Sequence, residues 1–235
     1  MWPPEHERFE DRTDAGRALG AEVSAHLKQL LTSDAEALAP LVLALPRGGV
    51  PVGIEVAKAI GADFDLIIVR KIGLPWQPDF GVGAIAEDGP PVFDRDALAC
   101  VGLSSSDLAP AVQRERVELR RRQERYRGLR PAPSITGRVV VVVDDGLTTG
   151  VTARAAVRAL RSADPAHLLF AAPVCAAESV DWLADETDGV LEIHSPREFH
   201  ALGLYYRNFA ALTEAHVQQI CLDTWGAAAP VAEPV

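Results

Sequence analysis

Asp144 and Asp145 are adjacent carboxylates, followed at once by Gly146-Leu147-Thr148-Thr149-Gly150-Val151-Thr152. Carboxylates repel phosphate and accept hydrogen bonds from hydroxyls, so the pair suits the two hydroxyls of a ribose, or a divalent cation. The loop after them offers the opposite chemistry. Its two glycines permit backbone conformations that a side chain would block, and its three threonines supply hydroxyl donors. A loop that runs into a helix also presents unpaired N–H groups at the positive end of the helix dipole, which favours an anion. Anion donors beside diol acceptors describe a socket for a ribose 5-phosphate.

The elements that must hold these residues can be read on either side. Val139–Val143 is a run of five valines, a buried strand, and residues 151–161 form a helix. The same order occurs earlier. Leu41–Leu45 reads as a strand, Pro46-Arg47-Gly48-Gly49-Val50-Pro51 as a loop, and Gly53–Ile60 as a helix stopped by Gly61. By the same amide argument the loop is a second anion site, with Arg47 as a charge-assisted donor. Asp65–Val69 is the next strand, with the cations Arg70 and Lys71 at its end.

Further helices are predicted at 15–32, 106–127 and Glu178–Ala184, and strands at His167–Ala172 and Val190–Ile193. Helices alternating with apolar strands predict an α/β fold, a doubly wound and mostly parallel sheet. Loops at the C-terminal ends of its strands then converge on one crevice. Residues 72–97 read as an extended loop or hairpin, and 229–235 as a frayed tail. Gly81-Val82-Gly83-Ala84-Ile85-Ala86 fits a dinucleotide-binding pattern by chance. No strand directly precedes it, and Gly89-Pro90-Pro91 would stop a following helix. We expect one domain over 1–235, with a core at about 15–72 and 136–222 and a hood, insert or lid at about 73–135.

The insert carries the long polar helix. Residues 114–130 hold eight arginines and three glutamates, a local charge of +5. A solvated face supported by Glu118–Arg122 is the plainer reading; anion or partner binding stays open. The whole chain has a net charge of −10, which argues against broad binding to nucleic acid or anionic membranes. Cys100, Cys175 and Cys221 have no CxxC spacing and no histidine cluster, so neither a disulfide framework nor a zinc site is expected. No apolar run approaches the roughly 18 residues of a membrane span. Met1–Asp14 is charged and has no signal core. The expected location is cytoplasmic.

Taken together, residues 139–152 resemble the signature of the type I phosphoribosyltransferases, which use phosphoribosyl pyrophosphate. The segments 46–51, 69–73 and 203–209, with the Arg-rich helix, resemble in particular a bacterial group of uncharacterised phosphoribosyltransferases. The resemblance implies a Mg²⁺-dependent glycosyltransferase of the pentosyltransferase class. It would transfer the phosphoribosyl group to a nitrogenous base or related nucleophile and release pyrophosphate. Gly146, Leu147, Thr148, Thr149, Gly150 and Thr152 would anchor the 5′-phosphate. Asp144 and Asp145 would hold the ribose and, directly or through water, Mg²⁺. Arg47, Gly48, Gly49, Arg70 and Lys71 would take the pyrophosphate, with Arg70, Lys71 and the two aspartates as the catalytic set. Purine-salvage members stack an aromatic residue on the base. Alignment on Gly203 puts His200 there, Phe199 stacks better, and Tyr206 is a third candidate.

One departure narrows the acceptor. The 6-oxopurine members carry an aspartate where this chain has Thr148, and a threonine cannot exchange a proton near neutrality. The resemblance also implies a small-molecule acceptor and a homodimer as partners, while the net charge and the lack of an apolar span argue against nucleic acid and membrane. A non-catalytic sensor of phosphoribosyl pyrophosphate or a nucleotide is the alternative. Arg47, Arg70 and Lys71 favour the enzyme, and the basic helix favours the sensor. A hydrolase or lyase would need a distinct nucleophile or general base, which we do not find.

Overall fold

The computed structural model describes residues 3–4, 7–30, 39–87, 89–128 and 130–226, and for 78 and 79 the backbone alone. The tail at 229–235 and positions 31–32 of the first helix lie outside the described residues. Five strands, β1 (Leu41–Ala44), β2 (Asp63–Leu66), β6 (Val139–Val143), β7 (His167–Val174) and β8 (Gly189–His194), form a parallel sheet in the order β2-β1-β6-β7-β8. Three more, β3 (Val69–Leu74), β4 (Gln77–Ala86) and β5 (Val92–Phe93), form an antiparallel sheet.

Helices cover both faces of the parallel sheet, so the fold is doubly wound as expected. Val42, Ala44, Val139, Val141, Val143, Leu169 and Ala171 pack in one core with α1 (Arg12–Leu30) and α2 (Gly49–Ile60). The alternate residues, Leu41, Leu43, Val140, Val142, Leu168 and Phe170, pack in another with α5 (Val151–Arg161) and α6 (Ala177–Ala184). Successive strand residues point to opposite faces. That is why all five valines are apolar and all five are buried. Among the described residues no helix is long and apolar enough to cross a membrane.

The Asp65–Val69 strand needs correcting. The chain leaves the parallel sheet after Leu66 and starts β3 at Val69, so Arg70 and Lys71 lie inside a hairpin strand of the second sheet. Leu66-Ile67-Ile68-Val69 is uniformly apolar, and such a run carries no period to mark where one sheet ends and the next begins. The 72–97 stretch is a hairpin rather than a loop. Gly81–Ala86 lies within the ten-residue β4, so the dinucleotide pattern is indeed a chance match.

The helix α4 (Ala109–Arg127) follows a 3-10 turn at Ser105–Leu108, and α3 (Arg95–Cys100) precedes both. The apolar stripe of α4, with Leu108, is buried: Leu108, Val112, Leu119 and Tyr126 join the α1–α2 core alongside Ile72 and Ile85 of the hairpin. Most of its arginines are spent on ion pairs. Glu118 takes Arg121 at 2.7 Å and Arg122 at 3.0 Å, and these hydrogen bonds hold its carboxyl down at about 2. Glu214 takes Arg121 at 2.9 Å and Arg125 at 3.4 Å. Glu214 opens α7 (Glu214–Trp225), a helix the sequence reading did not anticipate. At the far end of α4, Arg127 pairs with Asp65 at 2.8 Å and with Glu87 at 2.9 Å.

Candidate active site

β1 and β6 are neighbours, with Ala44 beside Val143, and the order β2-β1-β6 reverses direction between them. A crevice opens at such a switch point, outside the carboxyl ends of the strands. Leu45 N–H donates to the Val143 carbonyl at 2.8 Å, so residues 45–49 and 144–150 leave the sheet side by side. Their contact is very close. A Cβ on Gly48 would land on the Asp145 carboxylate, and one on Gly49 would lie 2.6 Å from the Val143 carbonyl oxygen. Only glycine lets the two loops touch. The peptide between Pro46 and Arg47 is cis, and Arg47 is exposed. Helix α2 starts at Gly49, four residues before the predicted Gly53. Pro51 falls in its first turn, where a missing N–H costs nothing.

The second loop is built around Gly150. Its φ of +71° lies in the left-handed region, where it turns the chain into α5. The N–H groups of Gly146, Thr148, Thr149 and Gly150 donate to no protein acceptor among the described residues, nor do those of Arg47 and Gly48. Thr148, Thr149 and Thr152 are exposed. Ser179 Oγ donates to the Thr148 carbonyl and steadies the loop from α6. Leu147 turns inward instead: it is 2% exposed and its N–H donates to the Val174 carbonyl at 2.8 Å. The result is two cradles of unpaired amides at adjacent strand ends.

Between the cradles stand the two acids. Asp144 Oδ1 accepts the Asp145 N–H at 2.8 Å. Burial, and then the charge of Asp145, push the Asp144 carboxyl well above its ordinary range. Asp145 Oδ2 accepts from Arg12 Nε at 2.7 Å. Beyond these donors no other N–H or hydroxyl reaches the two carboxyls among the described residues, and they lie within hydrogen-bonding reach of each other. Two adjacent carboxylates match how Mg²⁺ is usually held, by one or two carboxylates plus substrate phosphates and waters. No cluster of three or more His, Cys, Asp or Glu that could hold a metal occurs among the described residues.

The other predicted residues fare differently. Arg70 Nε pairs with Glu115 of α4 at 2.8 Å, so it is directed at that helix. The aliphatic stem of Lys71 lies over Gly81 of β4. Tyr206 does not offer its ring to a ligand. It is 1% exposed, and its hydroxyl donates to the Asp145 carbonyl at 2.7 Å. Burial, then the Asp145 charge, raise its phenol. Phe199 is half-buried and stacks on Tyr205 with ring centroids 6.4 Å apart, while His200 is exposed. Both line a cleft of about 510 Å³ that also meets Thr148, Thr149 and α6.

A profile of the phosphoribosyl transferase domain matches residues 11–201. The chain belongs to that family. It is 39% identical over 209 residues to a provisionally named phosphoribosyl transferase of Mycobacterium tuberculosis, in strain H37Rv and equally in strain CDC 1551. The match covers 89% of this chain and 45% of the relative, so the chain spans less than half the length of the curated relatives it matches. Among solved structures it resembles TT1426 from Thermus thermophilus, with a TM-score of 0.75 and 38% identity over 92% of this chain and 98% of that one. The AQ2163 protein of Aquifex aeolicus shares the fold alone, with a TM-score of 0.51 and 11% identity over 82% of this chain and 78% of that one.

Within this phosphoribosyl transferase domain the sequence reading missed four contributors. Arg12 reaches Asp145 from 133 residues away. Leu202 packs where a Gly146 side chain would stand. Trp182 and Arg197 line the cleft with Phe199. No local pattern marks any of them, because each acts on the site only through the folded contact.

Proposed function

We propose that this phosphoribosyl transferase moves a 5-phosphoribosyl group from phosphoribosyl pyrophosphate to a nitrogenous acceptor and releases pyrophosphate. One observation carries the reading: two amide-lined anion loops press together across Gly48 and Asp145, with the two carboxyls between them. The 146–150 loop and Thr152 hold the 5′-phosphate. Asp144 and Asp145 hold the ribose hydroxyls. The amides of Arg47 and Gly48, and the Arg47 guanidinium, hold the pyrophosphate. Anchoring both ends positions the anomeric carbon and stabilises the negative charge that builds on the leaving group. Asp144 and Asp145 would hold Mg²⁺, which when bound would supply further positive charge to the leaving group. Arg70, paired with Glu115, and Lys71 supply positive charge from β3 on the pyrophosphate side.

The acceptor lies in the cleft between the 148–149 loop, α6 and residues 197–202. Phe199 and Trp182 offer ring faces there, and Arg197 and His200 offer polar contacts. The test is pyrophosphate release from phosphoribosyl pyrophosphate and Mg²⁺ over a panel of nitrogenous bases. Turnover with one base, lost in Asp144→Ala/Asp145→Ala, supports the enzyme. Tight donor binding without turnover on any base makes the chain a sensor. Absence of donor binding sinks the reading.

A further inference from the structure

The two loops and the acids do not complete the site. The first turn of α1 reaches it through Arg12, whose guanidinium is held three ways. Nε donates to Asp145 Oδ2 at 2.7 Å, Nη1 donates to the Ala210 carbonyl at 2.9 Å, and the planar group lies 4.0 Å over the Phe209 ring. Arg12 and Asp145 are only 11% and 13% exposed. Asp145 is restrained elsewhere as well. Its carbonyl accepts from Tyr206, whose own carbonyl accepts from Arg8 at 3.0 Å, and its carboxylate rests against Gly48.

These contacts solve a local problem. Asp145 adjoins a second acid within hydrogen-bonding reach, and that pair alone does not fix which way its side chain faces. A cation on Oδ2 holds the group in place and leaves Oδ1 on the side of Asp144 with no cation of its own. A lysine could pair with Asp145, but it could not also stack on Phe209 and reach Ala210, because only guanidinium has the planar fork.

We propose that Arg12 is a positioning residue for the donor sugar. It acts through Asp145: by taking Oδ2 it presents Oδ1 to a ribose hydroxyl. The proposal rests on the phosphoribosyl pyrophosphate reading above.

The test is calorimetric titration of the whole chain with phosphoribosyl pyrophosphate and Mg²⁺, and separately with inorganic pyrophosphate. The proteins are wild type, Arg12→Ala, Arg12→Lys, Asp145→Asn and Arg12→Ala/Asp145→Asn, each checked for folding by thermal unfolding. Arg12→Ala should weaken phosphoribosyl pyrophosphate by about 10-fold, which is about 1.4 kcal/mol, and Arg12→Lys should recover part of the loss. In the Asp145→Asn background, removing Arg12 should cost nothing more, because both changes break one coupled unit. Inorganic pyrophosphate, titrated without Mg²⁺ so that Asp145 takes no part in holding it, should bind Arg12→Ala as it binds wild type. Unchanged or tighter donor binding in Arg12→Ala overturns the proposal and makes Arg12 a staple or a plug. Additive losses overturn it too, as does a parallel loss of inorganic pyrophosphate. If Arg12→Ala fails to fold, Arg12→Lys decides: donor affinity equal to wild type overturns the proposal, and an intermediate loss supports it. A wild type that binds no phosphoribosyl pyrophosphate removes the donor reading itself, a result distinct from a wild type that binds and a variant that matches it.

Discussion

Gly48 sits against the Asp145 carboxylate with no room between them: a Cβ at residue 48 would fall on its Cγ and oxygens. The φ of Gly48 is −62°, which any residue adopts, so the requirement for glycine is steric and comes from across the crevice. Gly48→Ala must therefore displace either the 46–49 loop or Asp145. Those groups hold opposite parts of the proposed donor, so affinity for phosphoribosyl pyrophosphate should fall by about 10-fold or more. Stability should fall by only about 1–3 kcal/mol. Titration calorimetry beside a denaturant melt separates the two, and unchanged donor affinity would remove the steric argument.

Asp144 gives a pH dependence whose sign can be worked out. Its carboxyl is raised, first by burial and then by the Asp145 charge. At pH below its ordinary value of 3.8 it is protonated folded and unfolded, and costs nothing. As pH rises past that value the unfolded chain releases the proton while the folded chain keeps it, so stability falls until pH passes the folded value. Asp144→Asn removes this cost. It should raise Tm at neutral pH, flatten the fall of Tm above pH 4, and abolish turnover. A Tm at pH 7 equal to or below that of wild type would count against the account.

Arg127 is the buried anchor of α4. It is 6% exposed, and it neutralises Asp65, which is 1% exposed, together with Glu87. Burial alone would raise Glu87, and it stays raised although Arg127 pulls it down. Arg127→Ala leaves two buried carboxylates without their main cation and should cost about 3–5 kcal/mol in urea unfolding. A loss below about 1 kcal/mol would mean that the pair does not fasten the helix.

Phe199 and the donor loops should be separable in kinetics. Phe199→Ala removes a ring face from the cleft and lies outside both anion loops. With the acceptor named by the panel, its KM should rise about 10-fold, the range of one lost aromatic contact. Donor affinity by calorimetry should stay at the wild-type value. A change in donor affinity with no change in acceptor KM would move the acceptor elsewhere.

Local chemistry alone determined much of this protein. Five valines could only be a doubly covered strand, and the acids and Gly/Thr loop after them could only sit at its C-terminal end. The helices at 151–161 and 106–127 were readable for the same reason: period and composition are properties of neighbouring residues. The tertiary structure decided the rest. It moved Arg70 and Lys71 into a hairpin, paired Arg70 with Glu115, buried Tyr206 beneath Asp145, and brought Arg12 to the acids. The Gly/Thr loop can be seen in sequence because a helix terminus makes its own anion site. The partners of Asp145 cannot, because Arg12, Gly48 and Tyr206 come from three separate parts of the chain and meet only when the sheet brings its strand ends to one crevice.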